Sequence, residues 1–108
     1  MGDYYINIDT LKNKQIAAGV RIKVASGERL MVSFVEISEG ADIPFHCHSN
    51  EQAGIVLEGE IEFTIGTETR ILKPGQSYLI PANVLHGGKS TSKAQVLDVF
   101  SPPREDYL

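Results

Sequence analysis

Along Ile61-Glu62-Phe63-Thr64-Ile65 the odd positions are apolar and the even ones polar, the alternation of a strand with one face buried and the other in water. Similar short apolar runs recur between glycines and prolines, and no stretch carries the period of about 3.6 residues that marks a long amphipathic helix. The runs predict strands over Val20–Ala25, Leu30–Ser38, Gln52–Leu57, Ile61–Ile65, Thr69–Leu72, Ser77–Ile80 and Gln95–Phe100, with a helical turn or two within Asp9–Ile16. Ser26-Gly27 and Glu39-Gly40 end the first two strands. Glu58-Gly59-Glu60 reads as a tight hairpin, and Lys73-Pro74-Gly75-Gln76 as a type II turn. Short strands with such turns predict an all-β sandwich or barrel.

Two strands depart from simple alternation. In the first, Leu30, Val32 and Phe34 share one face while Met31, Val35 and Ile37 share the other, so both faces call for cover. The second cover is either another subunit, as in a homodimer, or the N-terminal segment of the same chain. In Val96-Leu97-Asp98-Val99-Phe100, Asp98 lies between Val96 and Phe100 on one face. A carboxylate there needs a partner or a purpose. A structural ion pair or an outward-facing Asp98 is the simpler alternative.

Composition narrows the class. The 108 residues suffice for one domain with a modest core, and 42% are hydrophobic, as in ordinary globular proteins. Ten basic against fourteen acidic residues leave a net charge of −4. With no basic stripe, a nucleic acid is not an expected partner. No apolar run is long enough to span a membrane. The start, MGDYYINIDT, lacks the apolar stretch of a secretory signal, and Met1-Gly2 reads as a cloning remnant. A single cysteine, Cys47, excludes an intrachain disulfide and fits a reducing cytoplasm; it is expected to be a small buried hydrophobe.

The candidate chemistry lies in His46-Cys47-His48-Ser49-Asn50-Glu51-Gln52. In extended backbone, residues two apart point to the same side, so His46 and His48 project together and Cys47 points away. For a bare His-x-His pair, two surface histidines are the simpler reading. The third and last histidine, His86, follows a strand in Pro81-Ala82-Asn83-Val84-Leu85-His86, where Pro81 stiffens the approach and Gly87-Gly88 frees the chain beyond. Gln52 adds a neutral carbonyl oxygen. Three nitrogens and an oxygen suit a divalent transition metal such as Zn, Ni, Fe, Mn or Cu, with open positions for a substrate.

At these residues the chain resembles a known family. Gly40-x5-His46-x-His48-x3-Gln52-x6-Gly59 resembles the first cupin motif, and Gly75-x5-Pro81-x-Asn83-x2-His86 the second. The resemblance covers roughly Leu30 to Phe100 and implies a conical cupin β-barrel, or double-stranded β-helix, over about residues 20–101 of one domain spanning 1–108. Two positions depart from the usual pattern: Gln52 replaces a common Glu, and Asn83 a common Gly. An amide cancels none of the ion's charge, so the site keeps a stronger Lewis acid, which favours polar chemistry over redox cycling.

The end of the chain, LDVFSPPREDYL, is similar to the C-terminus of KdgF-like pectin-degradation cupins. That resemblance implies opening and linearisation of 4,5-unsaturated uronates, with His46, His48, Gln52 and His86 as metal ligands and Asp98, Phe100 and Arg104 lining the site. Taken alone, Phe100 reads as core and Arg104 as a solvated tail residue. Pro102-Pro103 are stiff, however, and can project the Arg104 fork over the barrel mouth toward a substrate carboxylate. The expected protein is a cytoplasmic, metal-dependent enzyme acting on a small sugar acid. The alternatives are a three-histidine dioxygenase and a non-catalytic sugar or metabolite sensor.

Overall fold

Residues 4–108 are described by a computed structural model; the Met1-Gly2 reading falls outside them. Ten strands follow one another: β1 (Lys14–Ala17), β2 (Val20–Ser26), β3 (Met31–Ile37), β4 (Asp42–His46), β5 (Glu51–Glu58), β6 (Ile61–Ile65), β7 (Glu68–Leu72), β8 (Ser77–Ile80), β9 (His86–Ser90) and β10 (Ala94–Ser101). They form two antiparallel sheets, one of six strands in the order β1-β2-β3-β10-β5-β8 and one of four in the order β4-β9-β6-β7. The all-β expectation holds, in the jelly-roll form.

Alternation becomes inside and outside as anticipated. Along β10, Ala94, Val96, Asp98 and Phe100 are buried, while the residues between them are partly exposed. In β6 the buried residues are Ile61 and Phe63. These two meet Ile22, Val35, Ile37 and Val56 of the opposite sheet in one cluster. Each such side chain contributes roughly 1.5–3 kcal/mol by leaving water.

Four expectations need correction. Between Asp9 and Ile16 there is one 3-10 turn, Ile8–Thr10, followed by strand β1, whose Gln15 and Lys14 pair with Arg21 and Ile22. Glu58-Gly59-Glu60 is not a hairpin: β5 pairs with β10 and β8, and β6 with β7 and β9, so the chain changes sheets there. Strands β4 and β9 were not foreseen. Gly87-Gly88 do not loosen the chain; they lie in β9, where a β-carbon would collide with the backbone of β4 at Gly87 and of β6 at Gly88. The Lys73–Gln76 turn is as expected, closed by Gln76 N–H donating to the Lys73 carbonyl at 3.0 Å with Gly75 at φ +88°.

The outer face of β3 has partial cover from its own chain. Ile8, Asp9 and Asn13 line a shallow groove together with Phe34 and Leu57. Leu57 in this groove and Leu79 on the outer face of β8 remain 50% and 76% exposed.

Candidate metal centre and its cavity

The ladder between β4 and β9 assembles the first two histidines. His46 ends β4, His86 opens β9, and the two are register partners. His48 follows in the loop after β4. That loop is tied to the turn before β9, where the Asn83 N–H donates to the His48 carbonyl at 2.7 Å. Asn83 adopts φ +66°, the left-handed region that glycine favours and asparagine tolerates, so the asparagine replaces the motif glycine without changing the turn. Gln52 arrives from β5 of the other sheet and places its Oε1 3.1 Å from His48 Nε2.

Each imidazole is oriented by its own backbone. The Nδ1 of His46 lies 2.7 Å from the Pro44 carbonyl, that of His48 3.0 Å from Asn50, and that of His86 2.9 Å from Val84. A proton on each Nδ1 satisfies these carbonyls and turns each Nε2 lone pair inward. One nitrogen from each ring then lies within 4.8 Å of the others. Burial lowers the His86 pKa to about 4, and burial followed by the Arg104 charge lowers that of His48, so both rings favour the neutral form a cation requires.

Two observations test the fit to a metal. His86 Nε2 is buried without a hydrogen-bond partner among the described residues. With Nδ1 protonated, His48 Nε2 directs a lone pair at the Gln52 oxygen, two acceptors face to face. A divalent cation between these groups resolves both, and the donor set of imidazoles and an amide oxygen suits a transition metal. Cys47 is exposed, contrary to the buried position expected: pointing away from the cavity here means pointing into solvent.

His46, His86 and Gln52 line a cavity of about 380 Å³. Val96, Asp98 and Phe100 face it from β10, and the C-terminal segment reaches it with Arg104, Asp106 and Tyr107. Among the described residues Asp98 makes no ion pair; its Oδ1 accepts a 2.6 Å hydrogen bond from Tyr78 Oη. Burial pushes the Asp98 carboxyl up to about 6, against the opposing pull of hydrogen bonds from Tyr78 and Gln52 and of the Arg104 charge. Tyr78 is held well above its ordinary value by burial and by the Asp98 charge.

Tyr78 and Gly54 were not anticipated. Tyr78 sits on β8 and Asp98 on β10, with Gly54 of β5 the register partner of both. A β-carbon at position 54 would fall inside van der Waals contact of Asp98 Oδ1 and of Tyr78 Oη, so the bond passes over a residue that must lack a side chain. A lone glycine inside an apolar strand is the one sequence signal of such a close approach.

Arg104 is not a solvated tail residue. Its side chain is 11% exposed, with the guanidinium 4.0 Å from the Tyr107 ring centroid and 5.3 Å from that of Phe100. Nε and Nη2 donate to Asp106 at 3.2 and 2.7 Å, and Nη1 donates to Tyr107 Oη at 2.8 Å. Lys14 Nζ donates to the Tyr107 carbonyl and fastens this segment to β1. Phe100 is buried and meets the His48 ring edge-on at 5.7 Å between centroids.

Comparison with known proteins gives the family. Residues 33–100 match the cupin domain family. The chain is 34% identical to the pectin degradation protein KdgF of Dickeya dadantii over 111 aligned positions, covering all of both chains. The structure of KdgF from a Halomonas species superposes with a TM-score of 0.90 at 31% identity, over all of both chains. An RmlC-like cupin from Shewanella frigidimarina gives 0.93 at 25% identity, covering 99% of this chain and 97% of that one. Among the described residues no helix is long and apolar enough to cross a membrane.

Proposed function

The chain belongs to the cupin family, among small members similar to KdgF, and from that premise we propose that it holds a divalent transition metal through His46, His48, Gln52 and His86 and converts a 4,5-unsaturated uronate to its linear ketone. The observation that carries this reading is the arrangement around one cavity: inward-facing imidazoles, a buried carboxylate held by a phenol, and an arginine fork.

When bound there, the ion supplies Lewis acidity to a substrate oxygen. Arg104 holds the uronate carboxylate, which takes the place of Asp106 on the same fork. Phe100 packs against the sugar ring. Asp98 accepts the proton of the hemiacetal hydroxyl as the ring C–O bond breaks, leaving an enolate on the former ring oxygen. The same carboxyl then returns the proton to the neighbouring alkene carbon, and the enolate becomes a ketone. The reaction is an isomerisation and consumes no oxidant. Tyr78 Oη donates to Asp98 Oδ1 and orients the carboxylate in the cavity wall.

The proposal includes a cytoplasmic homodimer. Its support is the outer face of the six-stranded sheet, where Phe34, Leu97 and Ile55 form one register row and Val32, Val99, Ala53 and Leu79 the next. Sedimentation analysis checks this part separately.

The test of function is elemental analysis of the purified protein, followed by proton NMR of an unsaturated uronate. Loss of the vinyl proton faster than in buffer, with a bound metal, is the expected result. No rate above the spontaneous one refutes the enzyme reading. Oxygen consumption during turnover selects the dioxygenase, and binding without product selects the sensor.

A further inference from the structure

The wall that carries Asp98 contains a polar atom with no part in the reaction above. Ser33 on β3 is the register partner of Asp98 on β10, and both residues line the cavity. Ser33 is 0% exposed, yet its Oγ has no hydrogen-bond partner among the described residues. Its apolar neighbours on the inward face offer none: Met31 and Val35 lie two positions away on its own strand, and Val24 is its register partner on β2. Asp98 is its polar neighbour on that face. Packing alone favours an aliphatic residue here, because a hydroxyl withdrawn from water and left unpaired is costly. A ligand hydroxyl in the cavity removes the cost.

The spacing specifies the ligand feature. Register partners on adjacent antiparallel strands have Cα atoms about 4.5–5.5 Å apart. Hydroxyls on neighbouring carbons of a sugar can therefore meet Ser33 and Asp98 one each. We propose that Ser33 Oγ is a specificity contact that, beside Asp98, reads a vicinal diol on one edge of the bound sugar acid. This deepens the uronate reading and rests on it. Tyr78 holds Asp98 from the β8 side, while Ser33 lies on the β3 side, so the row Tyr78–Asp98–Ser33 crosses the sheet with the diol edge along it.

A site built to hydrogen-bond a hydroxyl discriminates against an analogue that lacks it, because its own group is then left unpaired. Steady-state kinetics are measured on the unsaturated uronate and on its 2-deoxy and 3-deoxy analogues, for the wild type, Ser33→Ala and Ser33→Thr. The wild type is expected to disfavour at least one deoxy analogue by roughly 10–100-fold in kcat/KM beyond what Ser33→Ala shows. Ser33→Ala should lose rate on the full substrate, mainly through KM, and melt at the wild-type temperature or higher. Ser33→Thr, which keeps the hydroxyl, should restore part of the discrimination.

Unchanged discrimination in Ser33→Ala, or a lower melting temperature with unchanged kinetics, makes Ser33 structural and overturns the proposal. Calorimetric binding of saturated D-galacturonate and its deoxy analogues separates this failure from that of the reaction itself. If the wild type turns over no uronate but binds galacturonate in a Ser33-dependent way, the contact stands and the reaction falls. If no sugar acid binds, both fall.

Discussion

Placing a methyl group at position 54 asks directly whether Asp98 depends on Tyr78. The O–H···O bond between them is 2.6 Å long and passes over Gly54. A β-carbon there needs roughly 3.5 Å to each neighbour, so the two oxygens must withdraw by about 1 Å or more. A displacement of that size breaks the bond. A hydrogen bond to a charged group contributes about 1.5–3 kcal/mol, and overpacking a buried site costs about 1–3 kcal/mol. For a domain of this size each kcal/mol lowers Tm by about 4–8 °C, so Gly54→Ala should melt at least about 10 °C lower. If the bond orients the carboxylate for proton transfer, the same variant should lose roughly 10–100-fold in kcat. Tyr78→Phe is the control: it keeps the ring, removes the oxygen, and should share the kinetic loss with a smaller change in Tm. The chain has four tyrosines and no tryptophan, so tyrosine emission, quenched by a bonded carboxylate, should rise in Gly54→Ala. Wild-type melting, emission and turnover in Gly54→Ala would show that Asp98 is held by something other than this bond.

Three further expectations address the rest of the site. Gln52→Glu should bind metal as tightly or more tightly but convert uronate more slowly, because the carboxylate reduces Lewis acidity; equal turnover at full metal occupancy would contradict this. Asp98→Asn should lower kcat by roughly 10²-fold or more with little change in KM, whereas Arg104→Ala should mainly raise KM through loss of a contact of roughly 1.5–3 kcal/mol. Steady-state kinetics at matched metal content separate the two, and wild-type kcat in Asp98→Asn would remove its proton-transfer role. Burial pushes the Tyr107 phenol up to about 12. Above pH 10 the unfolded chain therefore loses this proton before the folded one, and stability should fall as pH rises from about 10 to 12. The fall should be shallower in Tyr107→Phe, and identical alkaline melting curves would count against docking of the C-terminal segment.

The readability of the fold varied with what holds each strand in place. The alternation of β6 and β10 was legible because one face of each is buried and the other is not. Strands β4 and β9 were not, since Asp-Ile-Pro-Phe-His contains a proline and His-Gly-Gly-Lys-Ser has no β-branched residue. They are extended because they pair with each other and because β9 also pairs with β6, which is tertiary information. The histidines and Gln52 stood out by spacing, and the structure brings all four together. Burial of Asp98 between Val96 and Phe100 followed from period two. Tyr78 did not stand out, because its meaning lies in a bond across β5 to a residue twenty positions away. Arg104 looked solvated because the contacts that bury it, over Phe100 and beside the cavity, form only when the tail folds back onto the barrel.

The outward turn of Cys47 has a practical consequence. The thiol is exposed, is the only one in the chain, and sits between two of the inward-facing histidines. A nitroxide attached there would lie close to the metal position without occupying the cavity. Paramagnetic ions such as Mn or Cu would broaden or shorten its electron-spin signal, and Zn would leave it unchanged. Spectra of the labelled protein under titration with each ion would then report both occupancy and the magnetic character of the ion in solution, with all four candidate ligands intact.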